Sequence, residues 1–219
     1  MKPGGRPINA LLNKGWQGKI YPVNPARDNI NGLKCYPSVT DIPDTVDLAI
    51  IAIAADYVYD ALLQCRSKGV KVAIIFSSGF SEVGPEGLAL QKKITDLAHS
   101  TGMRILGPNC LGLVNANNNL MASFAFIVDL PPVDPKVLGF VSQSGAFGSV
   151  IYAAALSEGV GFNYFISVGN EADLEFADFI DYMVHDPHTM LIGGYLEGAR
   201  DGDKLRSVAE KALDHKKPV

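Results

Sequence analysis

The chain has 219 residues, of which 47% are hydrophobic and 19% charged, and it carries a formal net charge of −4. That much apolar material supports a sizeable core in one large or two modest domains and excludes a disordered chain. The acidic balance supplies no basic field for nucleic acid or anionic lipid, so any bound anion must be held by local N–H groups or single arginines.

Arg6 to Leu12 reads as a helix preceded by only five residues. A doubly wound sheet ordinarily starts with a strand, so the first strand is expected to be missing. Lys19–Val23, Leu48–Ala54 and Val70–Phe76 are short apolar runs rich in Ile and Val, as expected for parallel strands covered on both faces. Between the last two, Val58, Leu62 and Cys65 share a helical face, with Asp56 as N-cap and Gly69 just past the end. A second helix follows Gly84-Pro85, sets Leu90, Ile94, Leu97 and Ala98 on one stripe, and stops at Gly102 before a strand at 103–106. This βα series closes a first domain, 1–130. The proline-rich stretch from Phe124 to Pro135 reads as a linker. A second domain, 131–219, repeats the alternation: strand 137–142, helix 145–157, strand 162–167, helix 173–184, strand 190–195, helix 202–214. Glu171, Glu175 and Asp178 are expected on one face of a helix, as a solvated face, with a metal site as the alternative. Lys216-Lys217-Pro218-Val219 follows the last helix as if another strand were to begin, so this domain is expected to be incomplete at its C-terminus. The fold class is α/β with parallel sheets.

The three cysteines, Cys35, Cys65 and Cys110, are widely spaced, form no metal pattern, and read as reduced thiols. The longest apolar runs are too short to span a bilayer and Met1 to Gly5 is no signal peptide, so a cytoplasmic location without membrane or nucleic-acid partners is expected.

The chemistry concentrates where strands end. Val137 to Ser142 runs into Gln143-Ser144-Gly145 and the first turn of a helix. Unpaired N–H groups and the helix dipole attract an anion there; Ser142 and Ser144 add hydroxyls and Gly145 permits close approach. An unliganded serine-capped turn explains the same residues equally well. Four other strand ends carry unusual loops: Tyr21-Pro22-Val23-Asn24-Pro25 with Arg27 behind it, Phe76 to Glu82, Gly107-Pro108-Asn109-Cys110, and Gly193 to Arg200 with Glu197. A rigid turn, a plain Ser/Gly loop, a packed cysteine and a solvated glutamate account for each of these singly. Together they converge on the carboxyl ends of strands, where α/β sheets bind ligands.

These segments, with Ile166-Ser167-Val168-Gly169-Asn170 and Leu196-Glu197-Gly198, occur in the order and spacing of one family. The chain resembles, over essentially its whole length, the ADP-forming acetyl-CoA synthetases, nucleoside-diphosphate-forming acyl-CoA synthetases related to the succinyl-CoA synthetase α subunit. The resemblance implies a CoA-binding Rossmann-like domain followed by a partial flavodoxin-like ligase domain. It implies an acid–thiol ligase that interconverts acyl-CoA, phosphate and ADP with free acid, CoA and ATP through a phosphohistidine, with ATP/ADP and Mg²⁺ held by an ATP-grasp domain or β subunit in a homo- or hetero-oligomer. Carried over, Gly4, Gly5, Val23, Asn24, Pro25, Arg27, Ser77, Ser78, Gly79, Phe80 and Glu82 would hold CoA, with Asn109 and Cys110 near the thioester. Ser142, Gln143, Ser144 and Gly145 would bind phosphate, and Glu197 would orient the phosphorylated imidazole. The family's glycine-rich turn survives only as Gly4-Gly5. The phosphorylated histidine lies beyond this chain, since His99, His185, His188 and His215 match no family motif; the chain alone is expected to be inactive.

A regulatory CoA-binding module of a protein lysine acetyltransferase fusion is the alternative. A nicotinamide-dependent dehydrogenase fragment ranks low, because no G-x-G-x-x-G follows a strand. Without its first strand, the sheet is expected to expose backbone edges and make the chain poorly soluble or self-pairing.

Overall fold

The computed structural model describes residues 3–219. Its elements in chain order are α1 (Arg6–Asn13), β1 (Asn29–Ile30), β2 (Leu33–Lys34), β3 (Leu48–Ile51), α2 (Val58–Lys68), β4 (Val72–Ile75), α3 (Pro85–Thr101), β5 (Arg104–Leu106), β6 (Gly112–Asn115), β7 (Leu120–Ser123), β8 (Lys136–Ser142), α4 (Gly145–Ser157), β9 (Gly161–Ser167), α5 (Phe176–His185), β10 (Leu191–Tyr195) and α6 (Gly202–Asp214).

β3, β4 and β5 form a three-stranded parallel sheet in that order, with Ile50 opposite Ile74 and Ile74 opposite Leu106. The period-two alternation divides its side chains between two cores. Ile51, Ala73, Ile75 and Ile105 pack with Val58 and Leu62 of α2 and Ile94 and Leu97 of α3. Ile74 and Leu106 face the opposite way, into a core shared with Val141, Ile166, Phe176 and Ile180 from the second half. α3 opens on Pro85, whose missing N–H costs nothing at that position, and closes on the left-handed Gly102.

The second sheet has five strands in the order β10–β8–β9–β6–β7. β8, β9 and β10 are parallel, whereas β6 runs antiparallel to both β9 and β7, so this sheet is mixed. All seven residues of the central β9 are buried. The hairpin β6–β7, whose residues precede the proline-rich stretch, therefore completes the sheet of the second half.

Several expectations need correction. Lys19–Val23 is not a strand: Val23 makes a single bridge with Tyr36, and Tyr36 N–H donates to the Pro22 carbonyl at 2.9 Å. Pro22 and Pro25 remove the donors that a ladder would need. Asp56 does not cap α2; it sits inside a 3₁₀ turn at 55–57, and α2 starts without a side-chain cap. The stretch after Phe124 is a packed strap, with Ile127 and Val128 buried, Arg6 paired to Asp129, and Lys14 Nζ donating to the Leu130 carbonyl at 2.9 Å.

Glu171, Glu175 and Asp178 do not form a solvated helix face. Glu171 lies ahead of α5 in the left-handed region at φ 55°, and both it and Glu175 are buried. Glu175 and Asp178 form a capping box, and Lys204 of α6 pairs with both, at 2.7 and 2.8 Å. The reason is position: these carboxylates serve the orphan N–H groups that open α5.

The two sheets are laced together where residues 170–174 run beside β5. Asn170, Ala172 and Leu174 donate to the carbonyls of Pro108, Gly107 and Ile105 at 2.9, 2.9 and 3.0 Å. The Asp173 carboxylate pairs with Arg104 at 2.9 Å and accepts Ile105 N–H at 2.8 Å.

Candidate functional site

β3 and β4 end side by side, and above them opens a cleft of about 350 Å³ lined by Ala52, Ile53, Ala54, Phe76, Ser77, Ser78 and Phe124. Its walls are small where they matter. A Cβ on Gly4 would stand 3.4 Å from Ala52 Cβ, and one on Gly79 would stand 3.1 Å from Ala55 Cβ, so glycines at both positions keep the rim open. A second cavity, beside Glu171 and Arg200, has a volume of only about 10 Å³ and is water-sized.

Beyond Ser77, the loop closes on itself through Glu82. The Glu82 carboxylate accepts the Gly79 and Phe80 N–H groups at 2.6 and 3.2 Å and also bonds Asn170 Nδ2. Burial pushes this carboxyl up, but the hydrogen bonds from Asn170 and the backbone outweigh it and leave the group below the usual glutamate range. Phe80 does not face the cleft with its ring, which is fully buried in the core. Ser77 Oγ is spent on the Ile53 carbonyl.

Cys110 departs furthest from expectation. Its thiol is buried, donates to the Ile75 carbonyl at 3.4 Å, and is pushed up to about 12 by burial, so it stays neutral and inaccessible. Its neighbour Asn109 is exposed, at φ 56°, with Nδ2 3.2 Å from Asn170 Oδ1 and its N–H on the Ser77 carbonyl at 2.9 Å. Asn24 forms an Asx turn with Ala26 N–H at 2.9 Å. Val23, Pro25 and Arg27 are exposed, and none of the 23–27 segment lines the cleft.

The turn after β8 is built tightly. Ser142 is fully buried and its Oγ donates to the Ser144 carbonyl at 2.6 Å, so it shapes the turn and offers no hydroxyl outward. Ser144 is the N-cap of α4, its Oγ accepting Phe147 N–H at 3.3 Å. The N–H groups of Gly145 and Ala146 are left as the orphan donors of the first turn, at the positive end of the dipole. A Cβ on Gly145 would fall 2.5 Å from Leu111 Cγ and 2.9 Å from Ser167 Oγ. The glycine thus seats the turn against the 107–112 loop.

Gln143 acts as a brace. Its Oε1 accepts the N–H groups of Glu197 and Gly198 at 2.6 and 3.0 Å, and its Nε2 donates to the Gly198 carbonyl at 2.8 Å and to Glu171 Oε2 at 3.2 Å. Glu197 itself is exposed, and its loop is fixed by Gln143. Burial raises the Glu171 carboxyl above the usual range, while the Phe176 N–H at 2.8 Å and Gln143 pull the other way.

The structure therefore gathers Ser142–Gly145, Leu111, Ser167, Glu171 and Glu197–Gly198 in one cluster and Gly4, Ser77, Ser78 and Gly79 around the cleft. Asn170 joins the two. Sequence reasoning assigns no role to Asn170 and puts Glu171 on a solvated helix face; the signal it carries is an amide and a carboxylate directly after a strand and a left-handed glycine. Among the described residues, no group of three or more His, Cys, Asp or Glu is placed to hold a metal ion, and no helix is long and apolar enough to cross a membrane.

Comparison with known proteins finds two family models along the chain. Residues 1–116 match the family model of the CoA binding domain, and residues 135–219 match that of the succinyl-CoA ligase like flavodoxin domain. The chain is 44% identical over 202 residues to the α subunit of ADP-forming acetate–CoA ligase II of Pyrococcus furiosus, covering 92% of this chain and 43% of that one. It is 39% identical over 220 residues to ADP-forming acetate–CoA ligase II of Archaeoglobus fulgidus, covering 100% of this chain and 32% of that one. Dinucleotide-forming acetyl-coenzyme A synthetase 1 of Ca. Korarchaeum cryptofilum, solved in complex with phosphate and ADP, superimposes with a TM-score of 0.90 at 40% identity, over 96% of this chain and 45% of that one. The chain spans less than half the length of each of these relatives.

Proposed function

Because this chain belongs to the nucleoside-diphosphate-forming acyl-CoA synthetase family, with its Rossmann-like CoA-binding and flavodoxin-like ligase domains, we propose that it is the CoA- and phosphate-binding portion of an acid–thiol ligase. The reaction is the interconversion of acyl-CoA, ADP and phosphate with free acid, CoA and ATP. The observation that carries the reading is the pairing, in one rigid frame, of a glycine-rimmed cleft with an open helix N-terminus. In this reading the units divide near residue 130, with β6–β7 contributed across the divide.

The cleft suits CoA chemically: Ala52, Ala54 and Phe76 offer an apolar floor, and Ser78 and the flanking glycines allow close backbone approach. When bound, CoA supplies the thiol that accepts or releases the acyl group. This chain's part is to hold and orient. Asn109, exposed and hydrogen-bonded to Asn170, would contact the acyl end in this reading. In this reading the Gly145 and Ala146 N–H groups attract phosphate. Glu197, held by Gln143, presents a carboxylate to accept an imidazole N–H from a histidine that lies outside this chain. Nucleotide and Mg²⁺ belong to an ATP-grasp domain or subunit, so the working enzyme is an oligomer or a longer chain in the cytoplasm.

Titration of the chain with CoA and, separately, with phosphate tests the reading. Saturable CoA binding is expected, together with ³¹P line broadening of phosphate that Gly145→Pro abolishes by removing one of the two free N–H donors. A chain that is folded by circular dichroism yet binds neither at millimolar concentration would refute it.

A further inference from the structure

Between the cleft and the phosphate turn lie two hydrogen-bond networks, joined by the peptide bond between Asn170 and Glu171. At one end the Gly79 and Phe80 N–H groups are gathered on Glu82. Glu82 in turn accepts Asn170 Nδ2, which also meets Gln91 Oε1 at 3.1 Å, while Asn170 Oδ1 accepts Asn109 Nδ2 at 3.2 Å. The residue after Asn170 is Glu171, whose carboxylate accepts Gln143 Nε2, and Gln143 holds Glu197 and Gly198 by their N–H groups.

The junction of the two networks has little room to give. Gly169 (φ 59°) and Glu171 (φ 55°) both sit in the left-handed region, on either side of Asn170. A Cβ on Gly169 would lie 2.3 Å from the Pro108 carbonyl oxygen and 2.5 Å from that of Asn109, so the loop is pressed against the 107–110 backbone. The Asn170 N–H and carbonyl are engaged too, by the Pro108 carbonyl at 2.9 Å and Gln91 Nε2 at 3.3 Å. The Glu82 and Gln143 networks therefore meet at one tightly held dipeptide, Asn170-Glu171. Contiguous hydrogen-bonded elements of this kind carry coupling between sites when both ends bias the same element.

We infer that Asn170 is a positioning residue that couples occupancy of the 77–82 loop to the geometry of the phosphate turn and the Glu197 carboxylate. The inference rests on the proposed function for its two ligands, CoA at one end and phosphate at the other. The coupling is reciprocal, so phosphate at the turn changes CoA affinity by the factor by which CoA changes phosphate affinity.

Amide NMR of the ¹⁵N-labelled chain, titrated with CoA, reads both ends at once. In the wild-type chain, CoA is expected to shift the Gly79 and Phe80 amides and, through the relay, those of Glu197 and Gly198. In Asn170→Ala, the first pair should still shift and the second pair should not. The CoA Kd should differ about fivefold or more with and without saturating phosphate in the wild type, the lower end of common coupling factors, and should become independent of phosphate in the variant. A purely structural role would weaken both ligands and leave their coupling intact. Should Asn170→Ala fail to fold, Asn170→Asp keeps the volume and the Oδ1 acceptor but sets a carboxylate against Glu82. Absence of any shift at 79–80 would overturn the CoA reading and the relay with it. Shifts at 79–80 with silent 197–198 amides in the wild type, or equal remote shifts in the variants, would overturn the relay alone.

Discussion

Replacing Gly169 by alanine tests the lacing of the two halves directly. Two costs are added. The left-handed conformation at φ 59° penalises any residue with a Cβ by about 1–2 kcal/mol. The new methyl would also meet Pro108 O at 2.3 Å, Asn109 O at 2.5 Å and Asn109 C at 2.8 Å, all backbone atoms that cannot rotate away. Forcing extra volume into such a site typically costs about 1–3 kcal/mol, and relief by separation would sacrifice the Asn170 and Ala172 N–H bonds to Pro108 and Gly107. Gly159 provides the control, because it has φ 82° but nothing within 4 Å of its Cβ position. Gly159→Ala should therefore lose only the conformational share, about 1–2 kcal/mol, and Gly169→Ala about 2–5 kcal/mol. Urea unfolding followed by tryptophan fluorescence and circular dichroism measures both. Equal losses in the two variants would refute the close approach of the 168–171 and 107–110 loops.

Alkylation of the folded chain at pH 8, read by mass spectrometry, should leave Cys110 and Cys65 unmodified until denaturant is added, because burial pushes their thiols up to about 12 and about 11; labelling of Cys110 at the rate of a free thiol would contradict its placement. The raised thiols also fix a sign: their protons are lost from the unfolded chain first, so stability should decline as pH climbs above about 9. Glu82 and Glu171 should act oppositely in acid. The lowered Glu82 carboxyl contributes stability above the ordinary 4.5 that is lost as pH falls through its folded value. The raised Glu171 carboxyl loses stability as pH rises from 4.5 through its folded value. Glu82→Gln should flatten the acid limb of the urea-midpoint profile and Glu171→Gln should steepen it, and the same sign for both would show one environment to be misread.

Legibility in the sequence followed locality. α3 was readable because Pro85 and Gly102 punctuate it and its stripe repeats at helical spacing, all within seventeen residues. β3, β4 and the turn at 142–145 were readable for the same reason. Lys19–Val23 misled because strand composition does not reveal whether a partner strand lies alongside. The β6–β7 hairpin is hard to read although its turn, Ala116-Asn117-Asn118-Asn119, has Asn119 at φ 61°, because its strands are only four residues each and interrupt a βα alternation. Within the candidate site, Gly145, Ser144 and Glu197 follow strand ends that the sequence marks. What Gln143 and Asn170 do could not be read, because each bonds residues more than fifty positions away.

The hairpin at 112–123 has an evolutionary corollary. Since it is encoded with the first half yet finishes the sheet of the second, a recombination point placed in the proline-rich strap would hand the recipient a sheet with a missing margin. The two halves can be inherited, transplanted or redesigned only as an interlocked pair, unless the exchange point is drawn upstream of Gly112.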